Sequence, residues 1–251
     1  MLEMRPDHMK AFEESAIRGF ENRMVDHVGQ FFPRHLAVLG EPAIRAVIRL
    51  GVTRGEAYGF DTEHDLCLYI NLMLLLGSLF DEDPQLAWAD AILHDTSIPD
   101  GAARAERLHD EAMKFHDAAA GEEGEHLTRT LVTLHKHPVK ETWRPGPGTL
   151  EDRLLAYLRA LWPRKCEQVG AGPLGLIIHR GIQAAERHRL AGEFGGALYV
   201  VLTFVLGSGF EADPQHPWAA AALQETSASA RAGKADLLHG GFMALLAAWL
   251  A

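Results

Sequence analysis

The chain has 251 residues, of which 47% are hydrophobic, and its formal net charge is −10. This composition supplies enough apolar side chains for a packed core, so we do not expect a disordered chain. The negative charge and the absence of clustered lysines and arginines disfavour a nucleic-acid-binding surface. Two cysteines, Cys67 and Cys166, lie within apolar helical patterns, which favours free thiols in a reducing compartment.

The amino-terminal segment and the most apolar stretch bear on localisation. Residues 1–18 carry several charged side chains and lack the continuous apolar stretch of a signal peptide, so a cytoplasmic protein is predicted. Residues 66–80 form the most apolar run, which is shorter than the roughly 20 residues that span a bilayer. We therefore predict a buried core helix there and no membrane span.

An internal repeat emerges when the chain is compared with itself so that Phe20 is placed on Leu150. Residues 20–98 then align with residues 150–228 without gaps. The repeat predicts one helical unit in residues 1–136, a linker rich in proline and glycine in residues 137–149, and a second unit in residues 150–251. The densest block of identities comprises Gly77, Ser78, Phe80, Asp83, Pro84, Gln85, Trp88 and Ala89, each of which recurs at the equivalent position of the second copy.

Apolar residues at three- and four-residue spacing predict helices throughout, and no strand-like alternation competes with them. Asp61 or Thr62 can cap the helix that follows, and two further helices are predicted over residues 102–119 and 122–135. The predicted fold class is all-α, with two tandem copies of one multi-helix unit forming a compact helical bundle.

The repeated block contains two Asp-Pro pairs, which predict helix starts with the aspartate as N-cap and the proline in the first helical position. Trp88 and Trp218 follow one turn later and are predicted to face inward. A binding loop is the alternative interpretation of this block. Capping, turning and core filling explain its residues without a ligand, so we favour a structural role.

Two Glu-x-x-His matches raise a metal hypothesis. Glu106 with His109 and Glu123 with His126 have the spacing by which helical bundles hold a di-metal centre. Chance nearly explains these matches in a chain with this much Glu and His, and a full site needs two further inward-facing carboxylates. We therefore predict no metal and no cofactor. A metal-dependent enzyme with a His/Glu site in the first copy is the alternative function.

Other catalytic patterns are weak or missing. His94-Asp95 resembles the dyad of the HD phosphohydrolases, but the second copy has Gln224-Glu225 there, and a helix carboxyl end explains His94 more simply. The sequence contains no Gly-x-Ser-x-Gly elbow, phosphate loop, Gly-x-Gly-x-x-Gly or Cys-x-x-Cys motif. The sequence therefore predicts that the chain is not an enzyme.

The first copy resembles a family of small, uncharacterised helical bacterial proteins that are often encoded beside spike and PAAR-type tip proteins of type VI secretion systems. The residues that carry this resemblance are Tyr58, Gly59, Phe60, Glu63, His64, Asp65, Leu66, Cys67, Tyr69, Leu72, Met73, Gly77, Phe80, Asp81, Asp83, Pro84, Trp88 and Ala89.

The second copy matches this pattern more loosely, since His188-Arg189 replaces Tyr58-Gly59 and Gly195-Gly196 replaces Asp65-Leu66. The resemblance implies no catalytic residues. It implies a protein partner, namely a secreted effector or a spike component, for which this chain would act as an adaptor, chaperone or immunity protein. A purely structural subunit is a further alternative.

Overall fold

The structure, a computed structural model, describes residues 6–190, 192–225 and 233–251, with side chains from residue 17 onward. Within these residues every regular element is a helix, so the predicted all-α class is confirmed for them. None of the described helices combines the length and apolar character needed to cross a membrane. Residues 1–5 of the first predicted unit and residues 191 and 226–232 of the second lie outside the described residues.

The first half of the molecule is built around one apolar helix. Its elements are α1 (Pro6–Phe31), α2 (Pro33–Leu39), α3 (Glu41–Ala57), α4 (Glu63–Leu76), the 3-10 turns Phe80–Glu82 and Pro84–Leu86, α5 (Ala87–Leu93) and α6 (Gly101–Ala120). The Thr62 hydroxyl accepts a hydrogen bond from the Asp65 backbone N–H at 3.2 Å and caps α4. Tyr69, Ile70 and Met73 of α4 are fully buried, which confirms the predicted core helix.

Two helices lead from the first half to the second. They are α7 (Glu125–Lys136) and the short α8 (Val139–Thr142). The second half then comprises α9 (Leu150–Leu161), α10 (Pro163–Val169), α11 (Ala171–Arg187), α12 (Gly192–Leu206), α13 (Pro217–Gln224) and α14 (Lys234–Leu250). The apolar α12 is buried continuously from Gly195 to Phe204, whereas α4 has buried and half-buried residues in alternation.

Helix order and helix ends agree between the halves. The helices α2 and α10 begin at equivalent prolines of the sequence alignment, Pro33 and Pro163. The last residues of α4 and α12 are equivalent too, and so are the last residues of α6 and α14. The halves also pack reciprocally, because α6 contacts α10 and α14 contacts α2.

The predicted linker contains packed structure. Val139 of α8 and Trp143 are buried in the hydrophobic core of the second half, together with Leu134 of α7. These side chains are apolar, and burial removes them from water. Residues 137–149 therefore attach the connecting segment to the second core as well as joining the halves.

The first Asp-Pro pair starts a helix as the sequence predicts, with Asp83 as N-cap and Pro84 in the first position, but this helix is only the 3-10 turn Pro84–Leu86, and α5 begins at Ala87. The second pair, Asp213-Pro214, does not start a helix. In the second half α13 begins at Pro217, which has the φ angle that a first helical position needs. Both aspartates keep a turn-capping role, since their Oδ1 atoms accept the backbone N–H groups of Gln85 and Gln215 at 2.9 and 2.8 Å.

Candidate functional site

A cavity of about 220 Å³ lies between the two halves. We call it the central cavity. Its wall is mostly apolar and comes from α2, α4, α6, α7, α10, α12 and α14, with Leu39, Leu75, Leu131, Val205, Leu245 and Trp249 among its residues. Leu75, Leu131 and Trp249 are only half-buried, so the cavity reaches the surface. Pockets of this kind hold apolar ligand groups that a few polar groups orient.

The carboxyl ends of α4 and α12 meet at the floor of this cavity. Gly77 and Gly207 end these helices with φ of 99° and 100°, in the region that glycine adopts without strain. A Cβ on Gly77 would lie 2.9 Å from the Leu206 carbonyl oxygen of the other half. Glycine at this position therefore permits the two helix ends to approach each other closely.

Glutamine side chains join the same two helix ends. The Gln85 Nε2 donates to the Thr203 carbonyl at 2.9 Å, and the Gln215 Nε2 donates to the Met73 carbonyl at 2.8 Å. Each glutamine belongs to one half and each carbonyl to the other. Each carbonyl also accepts the backbone N–H of the glycine that ends its own helix, Gly77 or Gly207, at 3.1 Å. The glutamine is therefore a second donor, and it holds the helix end of one half against the other.

Two basic side chains occupy corresponding places in the wall. Lys165 of α10 donates from Nζ to the Phe204 carbonyl of α12. His35 of α2 has its Nε2 3.1 Å from the Leu74 carbonyl of α4, which requires a proton on that nitrogen. Both carbonyls lie in the last turn of a helix, where the helix dipole favours positive charge.

Lys165 is the most unusual charged group of the cavity. Its Nζ lies 5.0 Å from the centre of the Trp162 ring and 4.9 Å from that of Phe204, within the range of cation–π attraction. Burial lowers the pKa of the Lys165 amine to about 8, although the charge of Asp83 opposes this change. The amine therefore has a substantial neutral fraction at mildly alkaline pH.

Two unpaired polar atoms in the cavity wall can orient a bound group by hydrogen bonding. The Nδ1 of His216 and the Oε1 of Gln85 are buried without a hydrogen-bond partner, and both residues line the cavity. Burial lowers the pKa of His216, against the raising effect of Asp213. A neutral imidazole and an amide oxygen can thus make hydrogen bonds to a polar group that enters the cavity.

The structure does not assemble the residues of the metal hypothesis into one site. Glu106 and His109 lie in the first half of α6, whereas Glu123 precedes α7 and His126 lies in its first turn. About 16 Å of helix axis separates His109 from the end of α6, at 1.5 Å per residue. Across the described residues, no group of three or more His, Cys, Asp and Glu side chains is arranged to hold a metal ion.

The His94-Asp95 pair is surrounded by ordinary packing partners, and the Tyr58 ring lies 5.9 Å from that of His94, measured between centroids. His94 follows the last residue of α5, with its Nδ1 3.0 Å from the Asp90 carbonyl, and it is exposed. The Asp95 carboxylate accepts hydrogen bonds from the Ser97 hydroxyl at 2.6 Å and from Arg107 at 3.3 Å. These contacts agree with the helix-end interpretation of His94.

The sequence does not reveal the central cavity. For the repeated block, the sequence predicts capping, turning and core filling within each half. The hydrogen bonds of Asp83, Gln85, Asp213 and Gln215 to the opposite half become visible only in the fold. Lys165 and His35 stand at equivalent positions of the two copies, yet they are different residue types and no motif contains them. The alignment could have paired them, but only the fold shows that both line one cavity.

Comparison with protein-family models, with curated proteins and with solved structures found no match to this chain.

Proposed function

We propose that this chain is a non-enzymatic protein-binding module of the bacterial cytoplasm. It acts as an adaptor, chaperone or immunity protein for a secreted effector or a spike component of a secretion system. The observation that carries the proposal is the central cavity, whose apolar wall comes from both halves and reaches the surface at half-buried side chains. The resemblance of the first half to proteins encoded beside type VI spike proteins supports the choice of partner.

The chemistry of the cavity fits an apolar anchor of a protein partner. An amphipathic helix presents large apolar side chains at helical spacing, and such side chains bind in grooves between helices. Leu75 and Trp249 provide apolar contact, while the unpaired atoms of His216 and Gln85 offer hydrogen bonds to a polar group beside the anchor. Apolar area that such an anchor removes from water contributes about 25 cal/mol per Å².

The two halves, in this proposal, arose by tandem duplication of one helical unit. Their helix ends fall at equivalent positions, and the contact of α6 with α10 repeats that of α14 with α2. Reciprocal contacts of this type characterise twofold-symmetric dimers, in which the same surface of each subunit meets the other. The chain would then correspond to a dimer fused into one polypeptide, with its binding cavity on the dimer axis.

The experiment is affinity purification of the tagged chain from its native host, followed by binding measurements with the purified partner. We expect a secreted effector or a spike component encoded nearby. Leu75→Trp would place a bulky ring at the half-buried cavity wall, so it should weaken binding at least about tenfold, equivalent to about 1.4 kcal/mol. Leu176→Trp is the matched control, because Leu176 is an exposed leucine of α11 outside the cavity wall.

Equal affinity of the wild type and Leu75→Trp for the purified partner would refute the central cavity as the binding site. Failure to recover any effector or spike component from the host would refute the proposed function.

A further inference from the structure

In the first half, an arginine neutralises a buried carboxylate. The Asp81 side chain is 0% exposed, and its Oδ2 accepts hydrogen bonds from Arg54 Nε at 3.0 Å and from an Arg54 terminal nitrogen at 2.6 Å. The Tyr58 and Tyr69 hydroxyls donate to the same oxygen at 2.7 and 2.8 Å. A buried carboxylate is costly without such partners, so Arg54 is part of the packing of this half.

The corresponding carboxylate of the second half lacks its arginine. Glu211 takes the place of Asp81 and accepts hydrogen bonds from the Tyr199 hydroxyl at 2.6 Å and from His188 Nε2 at 2.7 Å. Tyr199 and His188 align with Tyr69 and Tyr58 of the first half. The residue that aligns with Arg54 is Ala184, which cannot donate a hydrogen bond from its side chain.

An open cleft of about 260 Å³ lies at this position. Ala184, Tyr199 and Glu211 line it, and the Glu211 side chain is 35% exposed. One further wall residue is smaller than its counterpart, since Thr203 stands where the first half has Met73. The place beside Gly209 is filled by Leu79 of the first half. The second half therefore has accessible space beside its carboxylate where Arg54 fills the first half.

Charges on the rim of the cleft restrict what can enter. Glu82 of the first half contributes a carboxylate, although it already pairs with Arg54 at 2.7 Å. Arg180 and Arg187 of α11 are exposed and line the cleft, one on each side of Ala184 in the sequence. A cation at Glu211 is therefore best accommodated when acidic groups accompany it and face these arginines.

We infer that the cleft binds an arginine side chain of the protein partner, whose guanidinium pairs with Glu211 as Arg54 pairs with Asp81. Acidic residues that flank this arginine contact Arg180 and Arg187. A planar guanidinium matches the carboxylate better than an ammonium group does, because it holds several N–H donors in a fixed plane, two of which Arg54 directs at one Asp81 oxygen. The inference rests on the proposed protein-binding function and names the chemistry of a second contact.

The test is an NMR titration of the whole ¹⁵N-labelled chain with methylguanidinium chloride, with methylammonium chloride and sodium phosphate as comparisons at equal ionic strength. We expect saturable amide shifts at Tyr199, Ser208 and Glu211 with methylguanidinium, and clearly weaker shifts with methylammonium. Glu211→Gln removes the charge and Ala184→Arg supplies the guanidinium from within the chain. Each should weaken methylguanidinium binding by about tenfold or more.

Glu151→Gln is the matched control, because it removes one exposed carboxylate charge at the start of α9, outside the cleft wall, and should leave methylguanidinium binding unchanged. Saturation by phosphate and not by methylguanidinium would overturn the inference, since it would make the arginines the ligand-binding groups. Shifts that persist in both Glu211→Gln and Ala184→Arg would also overturn it.

This probe separates the inference from the proposed function, because it needs no protein partner. Methylguanidinium binding without any captured effector or spike component would refute the proposed function and leave the cleft as a guanidinium site. Capture of such a partner with equal affinity by the wild type and by Glu211→Gln would refute the inference and leave the proposed function intact.

Discussion

Asp83 and Asp213 each accept a backbone N–H hydrogen bond from the equivalent serine of the opposite half. The Oδ2 of Asp83 accepts the Ser208 backbone N–H at 2.8 Å, and the Oδ2 of Asp213 accepts the Ser78 backbone N–H at 2.7 Å. The other oxygen of each carboxylate caps the turn of its own half. Each aspartate thus connects local turn geometry to the packing of one half on the other.

Asp83→Ala and Asp213→Ala are each expected to lower the free energy of unfolding by about 3 kcal/mol. Both substitutions leave buried backbone N–H groups without a partner and remove hydrogen bonds to a charged group. Urea denaturation followed by circular dichroism measures the change. Asp110→Ala is the control, because the Asp110 side chain is 75% exposed and its removal should change stability by less than about 0.5 kcal/mol. Equal midpoints for all three variants would contradict the bridging role.

The two contacts of Asp83 show which features of the structure could be predicted from the sequence and which could not. Capping by Asp before Pro depends on neighbouring residues, and the structure retains it in the turn at Pro84. The contact of Asp83 with Ser208 depends on how two distant segments meet, and no local pattern encodes that. The same holds for Ala184, which is visible in the aligned sequence but becomes meaningful only beside Glu211 and an open cleft.

Trp88→Ala and Trp218→Ala are expected to destabilise the chain by about 2–3 kcal/mol each, below the 3–5 kcal/mol typical of fully buried aromatics. Both rings pack on their hydrophobic cores but are only half-buried. The Trp88 ring lies 6.1 Å from that of Phe115, measured between centroids. Denaturant unfolding measures the loss.

Phe31→Ala is the matched control for the two tryptophans. Phe31 is 61% exposed at the end of α1, so its truncation should change stability by less than about 0.5 kcal/mol. Unfolding curves of the tryptophan variants that coincide with that of Phe31→Ala would show that these rings contribute little to the core.

Lys165 should make a contribution to stability that rises with pH. The pKa of its amine is about 8 in the folded chain and 10.5 ordinarily, so the unfolded chain binds more protons between these values. The contribution of Lys165 therefore increases as pH rises from about 8 to 10.5, by on the order of 3 kcal/mol in total, while the raised pKa of Cys166 opposes it above about pH 9. Urea denaturation across this range measures the effect.

Lys165→Met isolates this contribution, because methionine has a similar length and no charge. The variant should be more stable than the wild type at pH 7, and the difference should shrink as the pH approaches 10.5. Titrating groups that do not interact with Lys165 affect both proteins equally and cancel in the difference. Making both proteins in a Cys166→Ala background removes the thiol that interacts with Lys165. A difference that stays constant from pH 7 to 10.5 would mean that the folded state does not disfavour the charged amine.

Purified protein should contain no stoichiometric transition metal, whereas a partner should be recovered with it. A helical di-metal centre needs two Glu-x-x-His pairs and two further carboxylates directed at one point. Here His109 and Glu106 lie on α6 about three and about four helical turns before its end, and His126 lies beyond that end on α7. Elemental analysis should give only trace iron, zinc and manganese, and Glu106→Gln with His109→Gln should leave the melting temperature unchanged within about 1 °C. Close to one metal ion per chain that is lost in this double variant, with no partner recovered, would instead favour the metal-dependent enzyme.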